Sequence, residues 1–297
     1  MPILVELFMS PHSHGGFHFT LKRRDRIVAS VNAKYKKKSH KYGIEIPNSV
    51  QHAYELDKKN GDDFWRRAIQ KEMKNVLVAF DILDSGEKLP AQFKELGVHL
   101  VFDVKMDLTR KARLVAEGHK TDDPIDSTYA GVVSRESVRI ALTYAALNGL
   151  NVEAADIQNA YLTAPTTEQF YITCGPEFGS ENIGKRALVK RALYGMKSAG
   201  RDFRNHLRDC MEHMNYFPCK ADPDLWMRMA RKEDGAEYYE YMLLYTDDCL
   251  AISTDPRQAL MQLDHYYFKL KKESNGPPKL YLGAKTSQVE LPNGVTA

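Results

Sequence analysis

The sequence predicts an α+β fold, because helical and strand-like patterns alternate along the chain and most strands are followed closely by a partner strand. From residue 134 onward, the predicted order is helix, strand, helix, hairpin, helix, hairpin. Hairpins give antiparallel pairs, and helices that alternate with largely antiparallel strands are typical of the α+β class. The 297 residues are enough for one large domain or two small ones.

Three segments predict helices, since apolar residues recur in them at helical spacing behind a capping residue. They are DDFWRRAIQKEMKNV (residues 62–76), SRESVRIALTYAALNGL (residues 134–150) and DPRQALMQLDHYYFKL (residues 255–270). The expected capping residues are, in the same order, Asp62 or Asp63, Ser134 or Ser137, and Asp255. A fourth, amphipathic helix is expected after the turn YGMKSAG, with Phe203, Leu207 and Met211 on its apolar side.

The composition is that of an ordinary globular protein, with 43% hydrophobic and 27% charged residues. A net charge of +3 does not by itself indicate a nucleic-acid partner, so local clusters would have to. No apolar run approaches the roughly 18–20 residues of a membrane helix, and the N-terminus lacks a signal-peptide pattern. We therefore expect an intracellular protein without a membrane partner, whose four cysteines are reduced thiols.

A basic hairpin is predicted by the strand-like runs HLVFDVKMD and ARLVAEG, which flank the polar segment MDLTRK. Its basic residues are Lys105, Arg110, Lys111 and Arg113. Two interpretations stay open: a solvated sheet edge, since lysines protect edge strands from aggregation, or a finger that contacts phosphates. The run KYKKKSHK at residues 34–41 has the same two interpretations, and residues 1–38 are expected to be irregular.

The stretch MLLYTDDCLAIS, residues 242–253, places two aspartates between two apolar runs. Taken alone, it is most simply a polar turn. The flanking strand-like runs leave little room for a loop, so a tight hairpin would project Asp247 and Asp248 from a rigid base. Asp156 lies near the end of the strand predicted in NVEAADIQNAYL. In an α+β layout that strand end and the hairpin tip can share one sheet, although spacing alone does not establish that they are neighbours.

Three carboxylates at one place are suited to binding divalent cations. Two cations about 3.5–4 Å apart can hold the attacking and leaving oxygens of a phosphoryl displacement. Magnesium takes hard oxygen ligands and keeps several waters, so a few carboxylates and substrate phosphates suffice. Without cations, such close carboxylates would repel one another and raise each other's pKa. We therefore expect two Mg²⁺ ions as cofactors, with Mn²⁺ as a substitute.

Residues 39–291 resemble the reverse transcriptase domain of copia-type long-terminal-repeat retrotransposons. Six blocks carry the resemblance in order: FWRRAIQKEMKNV, FDVKMDLTRKARLVAEGH, VEAADIQNAYL, RALYGMKSAGRDF, LLYTDDCLAIS and YLGAK. It implies a right-hand polymerase with fingers at about 39–145 and a palm at about 146–291, the palm being a ferredoxin-like antiparallel sheet backed by helices. It also implies an RNA-directed DNA polymerase whose partners are deoxynucleoside triphosphates, a primer on an RNA or DNA template, and other parts of a polyprotein.

The resemblance also implies roles for individual residues. The catalytic, metal-binding triad would be Asp156, Asp247 and Asp248. Tyr161 would be a steric gate against the ribose 2′-hydroxyl, the alternative being a core tyrosine. The other substrate-binding residues would be Lys111, Arg113, Tyr194, Gly195 and Lys197. The primer-binding residues would be Tyr245, Thr246, Tyr281, Leu282 and Gly283. One of Lys269, Lys271 and Lys272 would protonate the leaving pyrophosphate, the alternative being that all three are solvated charges at a helix end.

Three departures from the family pattern bear on function. Thr246 stands where the family usually has Val or Met, and Gly200 stands where it often has proline, which would loosen that turn. The chain ends at Ala297, soon after the last block, without the thumb and ribonuclease H regions. We therefore expect a polyprotein fragment of low processivity, in which residues 292–297 are a truncated tail.

Two other functions stay open: a catalytically silent retroelement remnant that binds nucleic acid, and a two-metal nuclease. The gate at Tyr161 favours polymerisation over hydrolysis, because hydrolysis has no use for sugar selection. The expected location is the cytoplasm, with virus-like particles or the nucleus as alternatives.

Overall fold

The structure, a computed structural model, describes residues 39–84, 86–266, 268–272, 275–287 and 289. The predictions for residues 1–38 and 292–297 fall outside these ranges. The α-helices within them are α1 (Val50–Asn60), α2 (Phe64–Val76), α3 (Arg135–Asn148), α4 (Ala160–Thr163), α5 (Ala199–His213) and α6 (Pro256–His265). Short 3-10 helices cover Leu77–Ala79, Gly118–Lys120 and Pro176–Phe178. In this part of the chain, no helix has the length and apolarity that crossing a membrane requires.

The strands of the described ranges belong to five separate sheets. They are β1 (His40–Lys41), β2 (Ile44–Glu45), β3 (Phe80–Ile82), β4 (Lys94–Glu95), β5 (Val98–Val104), β6 (Arg110–Ala116), β7 (Asn151–Asp156), β8 (Phe170–Thr173), β9 (Arg186–Val189), β10 (Phe217–Pro218), β11 (Leu225–Arg231), β12 (Glu237–Tyr245), β13 (Asp248–Ser253), β14 (Leu280–Tyr281) and β15 (Ala284–Lys285).

The largest sheet, called the central sheet here, has the order β10–β11–β12–β13–β7, and all its neighbours are antiparallel. A four-stranded sheet has the order β3–β9–β8–β4, in which β4 and β8 run parallel. Strands β5 and β6 form the predicted basic hairpin, and β1–β2 and β14–β15 are shorter pairs. Helices combined with mainly antiparallel sheets confirm the predicted α+β class.

Strands β12 and β13 are buried on both faces of the central sheet. Met242 and Leu244 belong to the same apolar core as Phe203 of α5, whereas Leu243 and Leu250 belong to a second core that includes α3. A strand covered on both faces has apolar residues on both, so it reads as a continuous apolar run rather than an alternating one. This explains the MLL and CLAI runs, and it holds the turn between them on a rigid base.

The predicted caps of α3 and α6 are confirmed, with Ser134 rather than Ser137 at the start of α3. The Ser134 side chain accepts a hydrogen bond from the backbone N–H of Ser137. The Asp255 carboxylate accepts one from the backbone N–H of Gln258, and Pro256 follows it at the first helical position. These caps satisfy N–H groups that have no partner inside the helix.

The predicted capping residues of α2 are confirmed in part, since the Asp62 carboxylate accepts the Phe64 N–H at 3.4 Å. Asp63 holds the N-cap position without a side-chain capping bond. The shorter bonds to the start of α2 come from Asp57, near the end of α1, whose carboxylate receives the Trp65 N–H at 3.0 Å and the Arg66 N–H at 2.8 Å. Because a cap supplied by the preceding helix depends on how the two helices pack, local spacing could not reveal it.

The last predicted helix is five residues too long, since α6 ends at His265 and not at residue 270. Leu270 instead forms an antiparallel bridge with Ile157, just beyond β7. The backbone N–H of Gln158 donates to the Lys269 oxygen at 2.7 Å. This extended segment therefore exchanges helical hydrogen bonds for contacts with the end of the Asp156 strand.

Candidate active site

Asp156 and Asp248 face each other on adjacent strands of the central sheet. Asp156 is the last residue of β7, Asp248 is the first of β13, and the two are register partners. The β12–β13 register leaves Thr246 and Asp247 as the two residues of the turn. The Ile157 N–H donates to the Asp247 backbone oxygen at 2.7 Å, which ties this turn to the Asp156 strand. The structure thus brings the three predicted aspartates to one end of the sheet.

The electrostatic environment of these aspartates is uneven. Burial, and then the neighbouring charges of Asp247 and Asp156, raise the pKa of Asp248 above its usual value, while Lys271 opposes the rise. The Lys271 Nζ lies 2.5 Å from both carboxylate oxygens of Asp156. The cluster therefore contains Asp248, whose ionised form is unfavourable, and beside it Asp156, whose carboxylate is paired with the Lys271 ammonium.

These residues fit a hard divalent cation in chemistry, though the side chains do not converge on one point. Among the described residues, no group of three or more His, Cys, Asp or Glu side chains is arranged to hold a metal ion. Asp156 instead binds the Lys271 ammonium, which supplies positive charge there. Three carboxylate groups on adjoining strands and the turn between them nevertheless offer the oxygen ligands that magnesium prefers. Burial raises the pKa of Asp248, and the charges of Asp247 and Asp156 raise it further, so a bound cation would favour its ionised form.

Tyr161 lies beside the aspartates and packs against two other aromatic rings. It follows Asp156 through the short helix α4, and its ring centre is 4.7 Å from that of Tyr194 and 6.0 Å from that of Phe203. Burial, followed by the negative charge of Asp247, raises the pKa of Tyr161. Its side chain is half-buried, so it packs against the apolar core while keeping an exposed surface near the carboxylates.

The basic hairpin touches the turn that carries Tyr194. The Ala116 N–H donates to the Tyr194 oxygen at 2.7 Å. A Cβ atom added at Gly195 would lie 2.1 Å from the Ala116 oxygen, and one at Gly118 would lie 2.2 Å from the Gly195 oxygen. Both positions therefore require glycine, and Gly195 also has a left-handed φ of 92°. This close approach sets the hairpin against the site.

Arg113 and Lys111 of the basic hairpin lie on the side of β6 that faces Tyr194. The Arg113 guanidinium lies 4.1 Å from the Tyr194 ring centre, which is a cation–π distance. Lys111 is two residues away on the same side of β6, and burial, followed by the charges of Arg113 and Lys105, lowers its pKa. Glu72 of α2 anchors the hairpin from outside, because its carboxylate accepts the Leu114 N–H at 2.9 Å. The hairpin is therefore packed into the protein, and is more than a solvated edge.

Lys197 and Gly200 both lie against the segment that follows the basic hairpin. The Lys197 ammonium donates to the Thr121 oxygen at 2.8 Å and to Asp123 at 2.7 Å, so it holds the segment that follows the hairpin. Gly200 lies in the first turn of α5 and not in the preceding turn. A Cβ atom added at Gly200 would meet the Ala130 side chain at 3.1 Å, so the glycine lets the segment around Ala130 approach α5 closely.

The predicted primer-binding residues lie on two hairpins near Asp248. Tyr281 is buried, and burial followed by the charges of Cys249, Asp248 and Tyr245 raises its pKa. Leu282 and Gly283 form the β14–β15 turn, with left-handed φ values of 48° and 82°. Tyr245 is 38% exposed beside the Thr246–Asp247 turn, so its ring is accessible to a bound molecule.

Two contacts of the site could not be found by sequence reasoning. Lys271 stands in a run of lysines that reads as solvated charge, and only the three-dimensional contact reveals its link to Asp156. The stack of Arg113 on Tyr194 joins residues 81 positions apart, without a local signal for either partner. Both contacts are tertiary, whereas periodicity and spacing report local structure.

Comparison with known proteins gives a consistent family. Residues 84–291 match the model of a family described as reverse transcriptase (RNA-dependent DNA polymerase). The retrovirus-related Pol polyprotein from transposon RE1 of Arabidopsis thaliana is 26% identical over 236 residues, which cover 77% of this chain and 16% of that protein. The corresponding polyprotein from transposon TNT 1-94 of Nicotiana tabacum is 32% identical over 178 residues, covering 57% and 13%.

A yeast relative extends the same pattern. The transposon Ty1-DR4 Gag-Pol polyprotein of Saccharomyces cerevisiae is 26% identical over 185 residues, which cover 60% of this chain and 11% of that protein. The chain therefore spans between 11% and 16% of the length of these three relatives. Since the family match covers well over half of the chain, the protein belongs to the reverse transcriptase (RNA-dependent DNA polymerase) family, and its resemblance to the copia-type domain is confirmed.

Proposed function

We propose that the chain is an RNA-directed DNA polymerase domain that adds deoxynucleotides to the 3′-hydroxyl of a primer on an RNA or DNA template. The observation that carries the proposal is the register pair of Asp156 and Asp248, with Asp247 in the adjoining turn. Membership of the reverse transcriptase family supports it. The names of the Pol and Gag-Pol relatives support a polyprotein context.

The proposed cation ligands are Asp156, Asp247 and Asp248. Together they would hold two Mg²⁺ ions, for which Mn²⁺ can substitute, with Asp248 in a more peripheral role. Bound magnesium supplies a lower pKa for the primer hydroxyl and neutralises charge on the incoming triphosphate. The chain itself holds the carboxylates in place through the β7–β13 ladder and the Ile157–Asp247 hydrogen bond.

Selection and positioning of the nucleotide are proposed for the Tyr161 side of the site. The Tyr161 ring would fill the space that a ribose 2′-hydroxyl needs, and Tyr194 supports that ring at 4.7 Å. Lys111 and Arg113 would attract the triphosphate, since positive charge stabilises a transferring phosphoryl group. Gly195 lets its backbone approach the hairpin closely, and Lys197 holds the neighbouring segment.

The primer is proposed to lie on the other side of the aspartates. Tyr245 precedes the turn formed by Thr246 and Asp247, and Tyr281, whose pKa is raised mainly by burial, lies near enough to Asp248 for that charge to add to the rise. Leu282 and Gly283 would present the β14–β15 turn to the primer strand. This arrangement would put the 3′-hydroxyl between the two hairpins, next to the carboxylates.

The same proposal divides the chain into fingers at about 39–145 and a palm at about 146–291. The basic β5–β6 hairpin would belong to the fingers, and the central sheet, with helices α3, α5 and α6, to a ferredoxin-like palm. The four-stranded sheet takes strands from both ranges and would connect the two.

Primer extension tests the function directly. The full chain is given a DNA primer on an RNA template with Mg²⁺ and deoxynucleotides, and we expect stepwise extension. Asp247→Ala is expected to abolish it. The matched control is Asp234→Asn in the β11–β12 turn, whose oxygen can still accept the Ala236 N–H and which should extend normally.

The alternatives give different products in the same assay. Folded protein that binds the primer–template without extending it would overturn the polymerase in favour of a silent remnant. Shortening of a strand without added nucleotides would instead identify a nuclease. Circular dichroism and thermal unfolding of each variant establish that any loss of extension is not a loss of fold.

A further inference from the structure

The contact between Lys271 and Asp156 joins a carboxylate of the proposed cation site to a residue 115 positions away. The Lys271 Nζ is 2.5 Å from Oδ1 and from Oδ2 of Asp156. The side chains are 46% and 24% exposed, respectively, so this pair lies at the edge of the site and not in the core. Both carboxylate oxygens thus face a positive charge that belongs to the chain.

Backbone hydrogen bonds fix the position of the Lys271 main chain. The Lys271 N–H donates to the Asp156 backbone oxygen at 2.9 Å, and the Gln158 N–H donates to the Lys269 oxygen at 2.7 Å. Leu270 and Ile157 form a bridge between these bonds. The backbone of the segment is therefore anchored beside Asp156 independently of the ammonium group, whose flexible stem can move it away from the carboxylate.

The lysine also acts on its other neighbours. Burial mainly raises the pKa of Asp248, and the Lys271 charge opposes that rise; burial mainly lowers the pKa of Lys111 on the basic hairpin, and Lys271 adds a smaller lowering. The charge of Lys271 therefore acts both on the carboxylates and on the basic hairpin proposed to bind the triphosphate. An ammonium at this point partly neutralises the cluster in place of an added cation.

We propose that Lys271 is a built-in counter-ion that competes with divalent cations for Asp156. A magnesium ion binds carboxylate oxygens at about 2.0–2.1 Å, so it needs the positions from which the ammonium approaches the same two atoms. Like charges at that separation repel strongly, and therefore a cation binds Asp156 only when the Lys271 ammonium leaves it. The inference rests on the proposed role of Asp156 as a cation ligand, and it adds a control on that role.

Cation binding tests this without requiring catalysis. Mn²⁺ is titrated into the full-length protein, in the absence of nucleotide and nucleic acid, and the free ion is followed by electron paramagnetic resonance. Lys271→Met keeps the length of the apolar stem and removes the charge. We expect it to bind Mn²⁺ about fivefold more tightly than the wild type, as expected for the loss of a part-exposed ion pair.

Two matched variants separate competition from a general change in charge. Lys272→Met removes the same charge from the next residue, which is also exposed, and should change the affinity less than twofold. Lys271→Arg keeps the charge and can pair with the carboxylate, so its affinity should stay near the wild-type value. Thermal unfolding without metal establishes that each variant is folded.

The proposal is overturned if Lys271→Met and Lys272→Met have equal effects, or if folded Lys271→Met binds no more Mn²⁺ than the wild type. Primer extension is read separately. Normal extension with unchanged Mn²⁺ affinity in Lys271→Met would reject the competition and leave the polymerase standing. Tighter Mn²⁺ binding by Lys271→Met, together with a folded wild type that does not extend primers, would support the competition and reject the polymerase.

Discussion

Asp248 lies directly opposite Asp156 in the antiparallel ladder of β13 and β7. Two carboxylates at one register position repel each other when both are ionised, and burial adds to the cost of charging Asp248. The Lys271 ammonium compensates on the Asp156 side. Without cations, the repulsion between these carboxylates is therefore expected to lower the free energy of unfolding, which can be measured.

Asp248→Asn is expected to stabilise the cation-free protein at pH 7. A carboxyl group whose pKa is raised on folding binds its proton more tightly in the folded state, so its ionised form destabilises the fold above that pKa. This penalty fades as the pH falls through the raised pKa towards the usual value of 3.8. We expect a gain of about 0.5–1 kcal/mol at pH 7 that becomes smaller towards pH 4 and vanishes only below the usual pKa of 3.8.

Thermal unfolding with chelator at pH 4 to 8 measures this gain. Asp234→Asn, in an exposed turn, is the control and should leave the melting temperature unchanged at every pH. A melting temperature of Asp248→Asn at or below that of the wild type at pH 7 would contradict the like-charge interpretation.

Tyr161→Ala is expected to reduce discrimination against ribonucleotides by tenfold or more, roughly the loss of 1.4 kcal/mol of selectivity. The reason is that the ring, held by Tyr194 and Phe203, would no longer fill the space beside the sugar. The measurement is the ratio of kcat/KM for a deoxynucleotide and the matching ribonucleotide. Tyr161→Phe keeps the ring and should keep the ratio, and an unchanged ratio in Tyr161→Ala would remove the gate assignment.

Gly195→Ala is expected to destabilise the protein by about 3 kcal/mol or more, because it adds a severe clash to a left-handed backbone conformation. The added Cβ would lie 2.1 Å from the Ala116 oxygen, where the basic hairpin meets the Tyr194 turn. Gly184→Ala is the control, since Gly184 has φ of 80° and its added Cβ would meet nothing within 4 Å. It should cost only about 1–2 kcal/mol.

Urea unfolding of both glycine variants gives the comparison. The difference between them isolates the contact of the hairpin with the turn from the backbone cost that they share. Equal losses would mean that the hairpin can move away from Gly195 freely.

Local patterns predicted much of this fold, but only the parts that depend on neighbours in sequence. Ser134 and Asp255 each accept a hydrogen bond from the N–H three residues later, and the two strands of the MLLYTDDCLAIS hairpin are adjacent in sequence. By contrast, Leu270 was predicted to be helical but forms a bridge with Ile157, because the backbone beyond β7 provides hydrogen bonds in place of the helical ones. The adjacency of Asp156 and Asp247 depends on such long-range pairing, and the family blocks rather than spacing indicated it.

Asp57→Ala tests one of these tertiary effects. The Asp57 carboxylate receives both the Trp65 and Arg66 N–H groups, so its loss should cost about 1–2 kcal/mol. Asp63→Ala, at the N-cap position itself, should cost less than about 0.5 kcal/mol, because its carboxylate mainly pairs with exposed Arg67. Urea unfolding gives both values. The reverse order would mean that α2 is capped locally, as the sequence had suggested.

Thr246→Gly is expected to stabilise the fold while leaving the aspartates in place. Thr246 has a left-handed φ of 54°, which is unfavourable for a β-branched residue by about 1–2 kcal/mol. Glycine adopts this conformation freely and loses part of that gain through its greater flexibility in the unfolded chain, which leaves a net gain of about 0.5–1 kcal/mol.

Thr143→Gly, which removes the same type of side chain, is expected to change the stability in the opposite direction. Thr143 is exposed within α3, where glycine should cost about 0.5–1 kcal/mol, since its helical backbone is already favourable for threonine. Denaturation midpoints of the two variants should therefore move apart. If Thr246→Gly also lowers the midpoint, the contacts of the Thr246 side chain outweigh its backbone strain, and the turn is maintained by packing around that side chain.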